Sequence, residues 1–360
     1  MNKREAFIRV LKREEVENTP RIFPPDIDLT PPKMDEFKKI KTDKSVEEYF
    51  GLFHRTVACR MEKTYSGDGK QLFTGKEMPA EYEVDPFGTG ESKGSAACLH
   101  MVHFHPPLAG EGTTMEDLAN HPLPVIGPGE KERLTKLIGE LHDKNIAVRA
   151  WLEQTIWERS WLIRGMEDLM MDMVMEAPKA ELLLDRITEH SCRTAAFLAG
   201  TGVDLIALGD DIGMQSTPLI DPKMWMKFLQ PRLAKVIAAA KAVNPDVLIS
   251  YHSCGFATPF IDGLIEAGVE VLNPLQPESM NVEEVYNKYN DRLAFWGAIG
   301  TQTTMPFGTP EDVRQAVLDI ARLSEQKRGF LISPTHVIEP EVSWDNLHTY
   351  IITMKELNGL

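Results

Sequence analysis

Only four cysteines occur in 360 residues, Cys59, Cys98, Cys192 and Cys254, and they are widely scattered. Small secreted domains held by disulfides show dense cysteine spacing, so this scarcity excludes a disulfide scaffold and points to a reducing compartment. Positive charge is also short: 39 Lys and Arg stand against 54 Asp and Glu, a formal net charge of −15. A protein that grips a phosphate backbone needs a basic surplus to displace counterions, which argues against nucleic acid as a partner. No run approaches the ~18 uninterrupted apolar residues of a spanning helix. The opening stretch turns polar at Lys12-Arg13-Glu14-Glu15, without the apolar core of a signal peptide. Repeats, low-complexity tracts and heptad arrays are absent too, which leaves no basis for a solenoid or coiled coil. The expectation is a cytoplasmic protein with no membrane segment.

What is present is a chain with 42% hydrophobic residues, enough to bury one large core. Residues 1–128 are rich in Pro, Gly and charge, with one amphipathic helix at the start and a second over Val46 to Glu62; they read as an irregular cap with the first barrel elements. Residues 129–360 alternate short β-branched runs with longer amphipathic segments, the pattern of consecutive βα units on a parallel sheet. The strands predicted are Ile146–Arg149, Leu205–Leu208, Val247–Tyr251, Val269–Leu272, Leu293–Trp296 and Phe330–Ser333. Closure at eight needs an early strand near Arg21–Phe23 and another within residues 80–105. Helix starts are marked by Thr309-Pro310-Glu311-Asp312 and by Asp221-Pro222, each a capping side chain followed by a proline at the first helical position. The fold expected is α/β, a single (β/α)8 TIM barrel over residues 1–360 with an N-terminal helical or irregular elaboration.

In such barrels chemistry sits just past the C-terminal ends of the strands. Polar residues occupy those places here: Trp151, Glu153, Asp210, Asp211, His252, Cys254, Asn273, Gln276, Gln302 and His336. His252 and Cys254 follow an apolar run and precede Gly255, so both can emerge from one turn, and thiolate with imidazole suits zinc. The alternative is a buried cysteine beside a hydrogen-bonded histidine. His336, at an equivalent strand end, would complete three ligands and leave the fourth position open, as in a catalytic zinc site. Glu153 is a candidate for that position at rest, and Asp210 or Asp211 for an outer acceptor or general acid/base; all three are also compatible with capping or surface roles. Trp151, Gln276 and Gln302 are candidate substrate contacts. His100, His103 and His105 form a second cluster, in which His103 and His105 are candidates for ligands on one side of a strand or, in the reading preferred, touch substrate or lie exposed on a loop.

Four stretches, His252-Ser-Cys-Gly255, Leu264-Ile-Glu-Ala-Gly-Val-Glu-Val-Leu-Asn-Pro-Leu-Gln-Pro277, Phe295-Trp-Gly-Ala-Ile-Gly-Thr-Gln302 and Pro306-Phe-Gly-Thr-Pro-Glu-Asp-Val313, resemble the uroporphyrinogen decarboxylase superfamily, and within it the corrinoid-linked methyltransferase branch. The likeness runs from Ile146 to the end, and the opening Arg4–Leu11 is similar to the usual first helix. The resemblance implies a distorted TIM barrel, with zinc held by a His-x-Cys pair and a later Cys in a Ser-Pro-Gly-Cys-Gly-like turn. His252 and Cys254 match that pattern; in Ser333-Pro334-Thr335-His336-Val337, His336 stands where the cysteine would be, which weakens any assignment of coenzyme M as acceptor. The Arg-rich segment of true decarboxylases is replaced by Arg21-Ile-Phe-Pro-Pro-Asp-Ile-Asp28, which argues against a porphyrinogen, whose carboxylates need charge-assisted partners. What the resemblance implies is zinc-dependent methyl transfer between a small substrate, expected to be a methoxylated aromatic, and the cobalt of a corrinoid on a separate protein, with a homodimer left open. The alternatives are a metal-independent decarboxylase of a non-porphyrin acid and a non-catalytic corrinoid or tetrapyrrole-binding protein.

Overall fold

The computed structural model describes residues 2–14, 22–94, 102–175, 177–325 and 329–359. Seven parallel strands form one curled sheet: β1 (His54–Ala58), β2 (Ala147–Glu153), β3 (Leu205–Gly209), β4 (Leu248–His252), β5 (Val271–Leu275), β6 (Ala294–Ile299) and β7 (Phe330–Pro334). Each pairs with its neighbours in chain order, the sequential arrangement of a βα barrel. The extended segment from Ile22 to Thr30 reaches both edges of the sheet. Leu29 bridges Ile338 beyond β7, the Ile338 amide donates to the Asp28 carbonyl at 2.7 Å, and Asp26 Oδ1 lies 3.4 Å from Nε2 of His54 on β1.

Side chains alternate between two cores, as the period of two in a strand requires. Ala147, Leu205, Ala207, Leu248, Val271, Ala294, Trp296 and Leu331 point into the barrel. Val148, Ala150, Ile206, Leu208, Ile249, Leu272, Phe295 and Ile332 point outward to the helices. Burial on both faces is why these strands read as continuous apolar runs. The first helix, Lys3–Leu11, closes the N-terminal end of the barrel: Ala6, Phe7 and Leu11 join the inner core, and Phe7 stacks on His54 at 4.9 Å and meets Trp296 edge-on at 5.7 Å. Arg4 anchors the plug on buried Asp204 at 2.7 Å.

Six of the seven strands lie where the apolar runs place them, with bounds displaced by a few residues. The seventh differs from expectation. The predicted helix over Val46 to Glu62 is only Val46–Phe50, ended by Gly51 at φ 75°, after which His54–Ala58 pairs with β2 in full register. Its polar alternation, His-Arg-Thr-Val-Ala, hid it. Residues 80–105 supply no barrel strand among the described residues; Glu83–Val84, Gly90–Lys93 and Val102–His105 form a separate antiparallel sheet. Of the early strand expected near Arg21–Phe23, Arg21 lies outside the described residues, and the bridge to the barrel forms further on, at Leu29. Trp151 and Glu153 belong to β2 itself, paired with Ala58 on one side and with Ala207 and Gly209 on the other. Both predicted caps form: Thr309 and Asp312 make a capping box, and Asp221 accepts from Lys223 and Met224 amides. No described helix is long and apolar enough to cross a membrane.

Candidate metal centre

β4 delivers His252 at the C-terminal mouth of the barrel, and the chain turns at once through Ser253 and Cys254. That turn is held from two sides. The Cys254 amide donates to Asp211 Oδ1 at 2.8 Å, the Gly255 amide donates to Gln276 Oε1 at 2.8 Å, and Ser253 Oγ accepts from the Ile212 amide at 3.1 Å. Gly255 sits at φ 80°, and a Cβ there would lie 2.5 Å from the Met214 carbonyl oxygen. Only glycine lets the two mouth loops approach this closely.

The three expected ligands come together. The donor atoms of His252, Cys254 and His336 all lie within 4.8 Å of one another, and Cys254 Sγ is 3.4 Å from His252 Nε2. Ligands about 2.0–2.3 Å from a tetrahedral zinc are separated by about 3.4–3.8 Å. The Sγ–Nε2 pair already has that spacing, and His336 completes the group from its exposed side. His252 Nδ1 lies 2.7 Å from Asn273 Oδ1, which keeps a proton on Nδ1 and leaves Nε2 as the nitrogen that faces Cys254. The two imidazoles are tilted at 56° with centroids 6.2 Å apart.

Electrostatics favour a thiolate. Burial pushes the Cys254 thiol up, but the His252 charge and hydrogen bonds from His252 and His336 outweigh it and bring the thiol down to about 7. For His252, burial acts downward and is outweighed by Cys254 and Glu153, so it is raised well above the ordinary histidine value. His336 is raised mainly by its hydrogen bond to Cys254. Soft thiolate with two imidazoles and an open side fits zinc.

The other predicted residues divide. Glu153 and Trp151 line the cleft of about 370 Å³ that also contains His252, Asn273 and His336. Asp210 is buried, and its oxygens accept from the Ile156 amide at 3.1 Å and the Glu158 amide at 2.9 Å, so it caps the helix that starts at Trp157. Asp211 and buried Gln276 hold the ligand turn. Gln302 is exposed, its amide donating to Glu278 at 3.0 Å, and it is not among the residues lining the cleft. His103 and His105 stand on the separate sheet, His105 bonded to Ser92 Oγ at 2.9 Å, and neither lines the cleft. His100 lies outside the described residues.

Sequence reading missed Asp26, Asp28, Thr56, Arg149 and Trp296, which complete the cleft wall. It also missed Glu158, raised to about 8 by burial and by the charges of Asp210 and Asp211. Their one visible signal was position: Arg149 on an otherwise apolar strand and two aspartates in a Pro-rich stretch.

Fold and site together define a βα-barrel protein with a His/Cys donor set at the barrel mouth. The family model described as uroporphyrinogen decarboxylase (URO-D) matches residues 160–357, and the chain belongs to that family. Among solved structures it is similar to a methyltransferase from Methanosarcina mazei, at 16% identity with 99% of each chain covered and a TM-score of 0.67, a likeness of fold. A B12-independent methionine synthase from a Shewanella species is similar at 12% identity over 68% of this chain and 74% of the other, with a TM-score of 0.45. No curated protein matches the chain in sequence.

Proposed function

We propose that this protein is a zinc-dependent methyltransferase that moves a methyl group between a small methoxylated aromatic and the cobalt of a corrinoid carried by a separate protein. The observation that carries the reading is the approach of His252, Cys254 and His336 donor atoms to within 4.8 Å at the mouth of the barrel, on the wall of an open cleft. A methyltransferase of similar fold is consistent with it.

When bound, zinc supplies Lewis acidity to an ether oxygen or a thiol. The chain's own residues do the remaining work. Asn273 fixes the tautomer of His252, and Asp211 and Gln276 hold the Cys254 turn. Glu153, kept in place by Arg149 at 2.5 Å, faces the cleft and is assigned the handling of the substrate proton. Trp151, 49% exposed at the rim, offers an apolar wall to an aromatic ring. Action in the cytoplasm, on a partner corrinoid protein and with copies paired as a homodimer, belongs to the same proposal.

The test is elemental analysis of the purified protein followed by methyl transfer to cob(I)alamin from methoxylated aromatics, read from the corrinoid spectrum. About one zinc per chain and methyl transfer, both lost in Cys254→Ala, are expected. Wild-type turnover in a zinc-free Cys254→Ala protein would remove the basis for the reading.

A further inference from the structure

A second cavity, of about 170 Å³, opens beside the cleft over the C-terminal ends of β1 and β2. Its volume is close to the roughly 150 Å³ of an apolar protein cavity that holds one benzene ring. Cys59, Met61, Phe87 and Leu152 supply apolar wall, and Trp151 and Glu153 border both this cavity and the cleft. Phe87 is held from two sides, by the Arg159 guanidinium 4.0 Å from its ring centroid and by His190, edge-on at 5.0 Å. The charges on the wall are matched within the protein: Arg159 pairs with Asp85 at 2.7 Å and Glu153 with Arg149 at 2.5 Å. Burial holds His190 down at about 4 and pushes the Cys59 thiol up to about 11, so both are neutral at pH 7.

Strand register ties this cavity to the donor set. Glu153 pairs with Gly209 and Gly209 with His252, so the three stand at one level of the barrel mouth. Neighbouring strands are about 4.8 Å apart, which keeps β2 and β4 within about 10 Å of each other. A Cβ at Gly209 would lie 2.8 Å from the His252 Cβ; with glycine there, β3 puts no side chain between Glu153 and His252 at that level. A flat apolar ring gains from the phenyl, indole and thioether surfaces of the wall. A charged group buried among ion pairs that are already complete gains no counter-charge for the water it loses. We infer that this side cavity is the subsite for the substrate ring, sized for one neutral six-membered aromatic ring that lies against Phe87 and Met61 and directs its substituent past Glu153 toward the donor set. That the substituent is a transferred methoxy group rests on the methyltransferase reading; the seating of a single ring does not.

The experiment uses two neutral probes, 4-methoxybenzyl alcohol with one ring and 6-methoxy-2-naphthalenemethanol with two fused rings. Their binding to the full chain is measured by calorimetry, and the shielding of Cys59 by the rate of its alkylation with N-ethylmaleimide, read by peptide mass. Ala58→Phe fills the cavity from an exposed position, and Met61→Ala widens it at a half-buried one. Thermal unfolding shows whether each variant is folded. The one-ring probe is expected to bind about tenfold or more tighter than the two-ring probe and to slow Cys59 alkylation several-fold. Ala58→Phe is expected to weaken one-ring binding by about tenfold, and Met61→Ala to narrow the gap between the probes several-fold. Equal affinities, unchanged Cys59 alkylation, one-ring binding unaltered in a folded Ala58→Phe protein, or no binding of either probe would overturn the inference. Methyl transfer to cob(I)alamin is scored separately. One-ring preference with Cys59 shielded but no transfer would sink the methyltransferase reading alone; transfer from both probes alike with Cys59 unshielded would sink the ring subsite alone.

Discussion

Replacing Asn273 with Ala removes the acceptor that orients the His252 ring while leaving all three donor side chains in the protein. In the structure Asn273 Oδ1 lies 2.7 Å from His252 Nδ1, and the opposite ring nitrogen is 3.4 Å from Cys254 Sγ. Without the amide oxygen, the ring is free to rotate and to place its proton on Nε2, the nitrogen that must carry the lone pair. Outer partners of metal-bound histidines are worth about 10–100-fold in metal affinity, or about 1.4–2.8 kcal/mol. That size also matches one buried hydrogen bond to a partly charged group. Zinc affinity is to be measured by competition with a chromophoric chelator at neutral pH, with thermal unfolding as the control for folding. Asn273→Asp keeps an acceptor in place and is expected to retain affinity near that of the wild type. A folded Asn273→Ala protein whose zinc affinity stays within about twofold of wild type would refute the claim that Asn273 sets the tautomer.

Phe7 is fully buried in the barrel plug against His54 and Trp296, so Phe7→Ala is expected to cost about 3–5 kcal/mol, read as a shift of the urea midpoint. His121 is buried and bonded to the Phe87 carbonyl at 2.7 Å, and burial holds it down at about 4. Between that value and the ordinary histidine range the unfolded chain binds a proton that the folded chain does not, so stability falls as pH is lowered. The loss from this one group between pH 7 and pH 5 is about 2 kcal/mol. His121→Gln keeps a donor and removes the titration, so its stability is expected to decline by that much less over the same interval; an unchanged pH slope would contradict the assignment. Gly255→Ala drives a Cβ to 2.5 Å from the Met214 oxygen and is expected to weaken zinc binding more than it lowers the unfolding temperature, measured with the same chelator competition.

The six apolar runs after residue 129 were legible as strands because parallel strands buried on both faces carry hydrophobic residues without a polar side. The caps at Asp221 and Thr309 were legible because a cap is a local interaction spanning three residues. His252, Cys254 and His336 could be singled out by their places at strand ends, since the barrel directs such positions to its mouth. Tertiary structure alone decided what those residues meet. The Asn273–His252 bond joins residues 21 apart, the Asp211–Cys254 bond residues 43 apart, and the Ile156–Asp210 cap residues 54 apart. Asp210, a catalytic candidate by position, caps a helix, and Gln276 supports a turn, because each was claimed by a distant amide that no local pattern reveals. The barrel strand at His54–Ala58 and the closing segment from Ile22 to Thr30 were hidden for the same reason. Their chain is polar and interrupted by proline, and pairing with distant strands, not intrinsic propensity, draws it into the barrel.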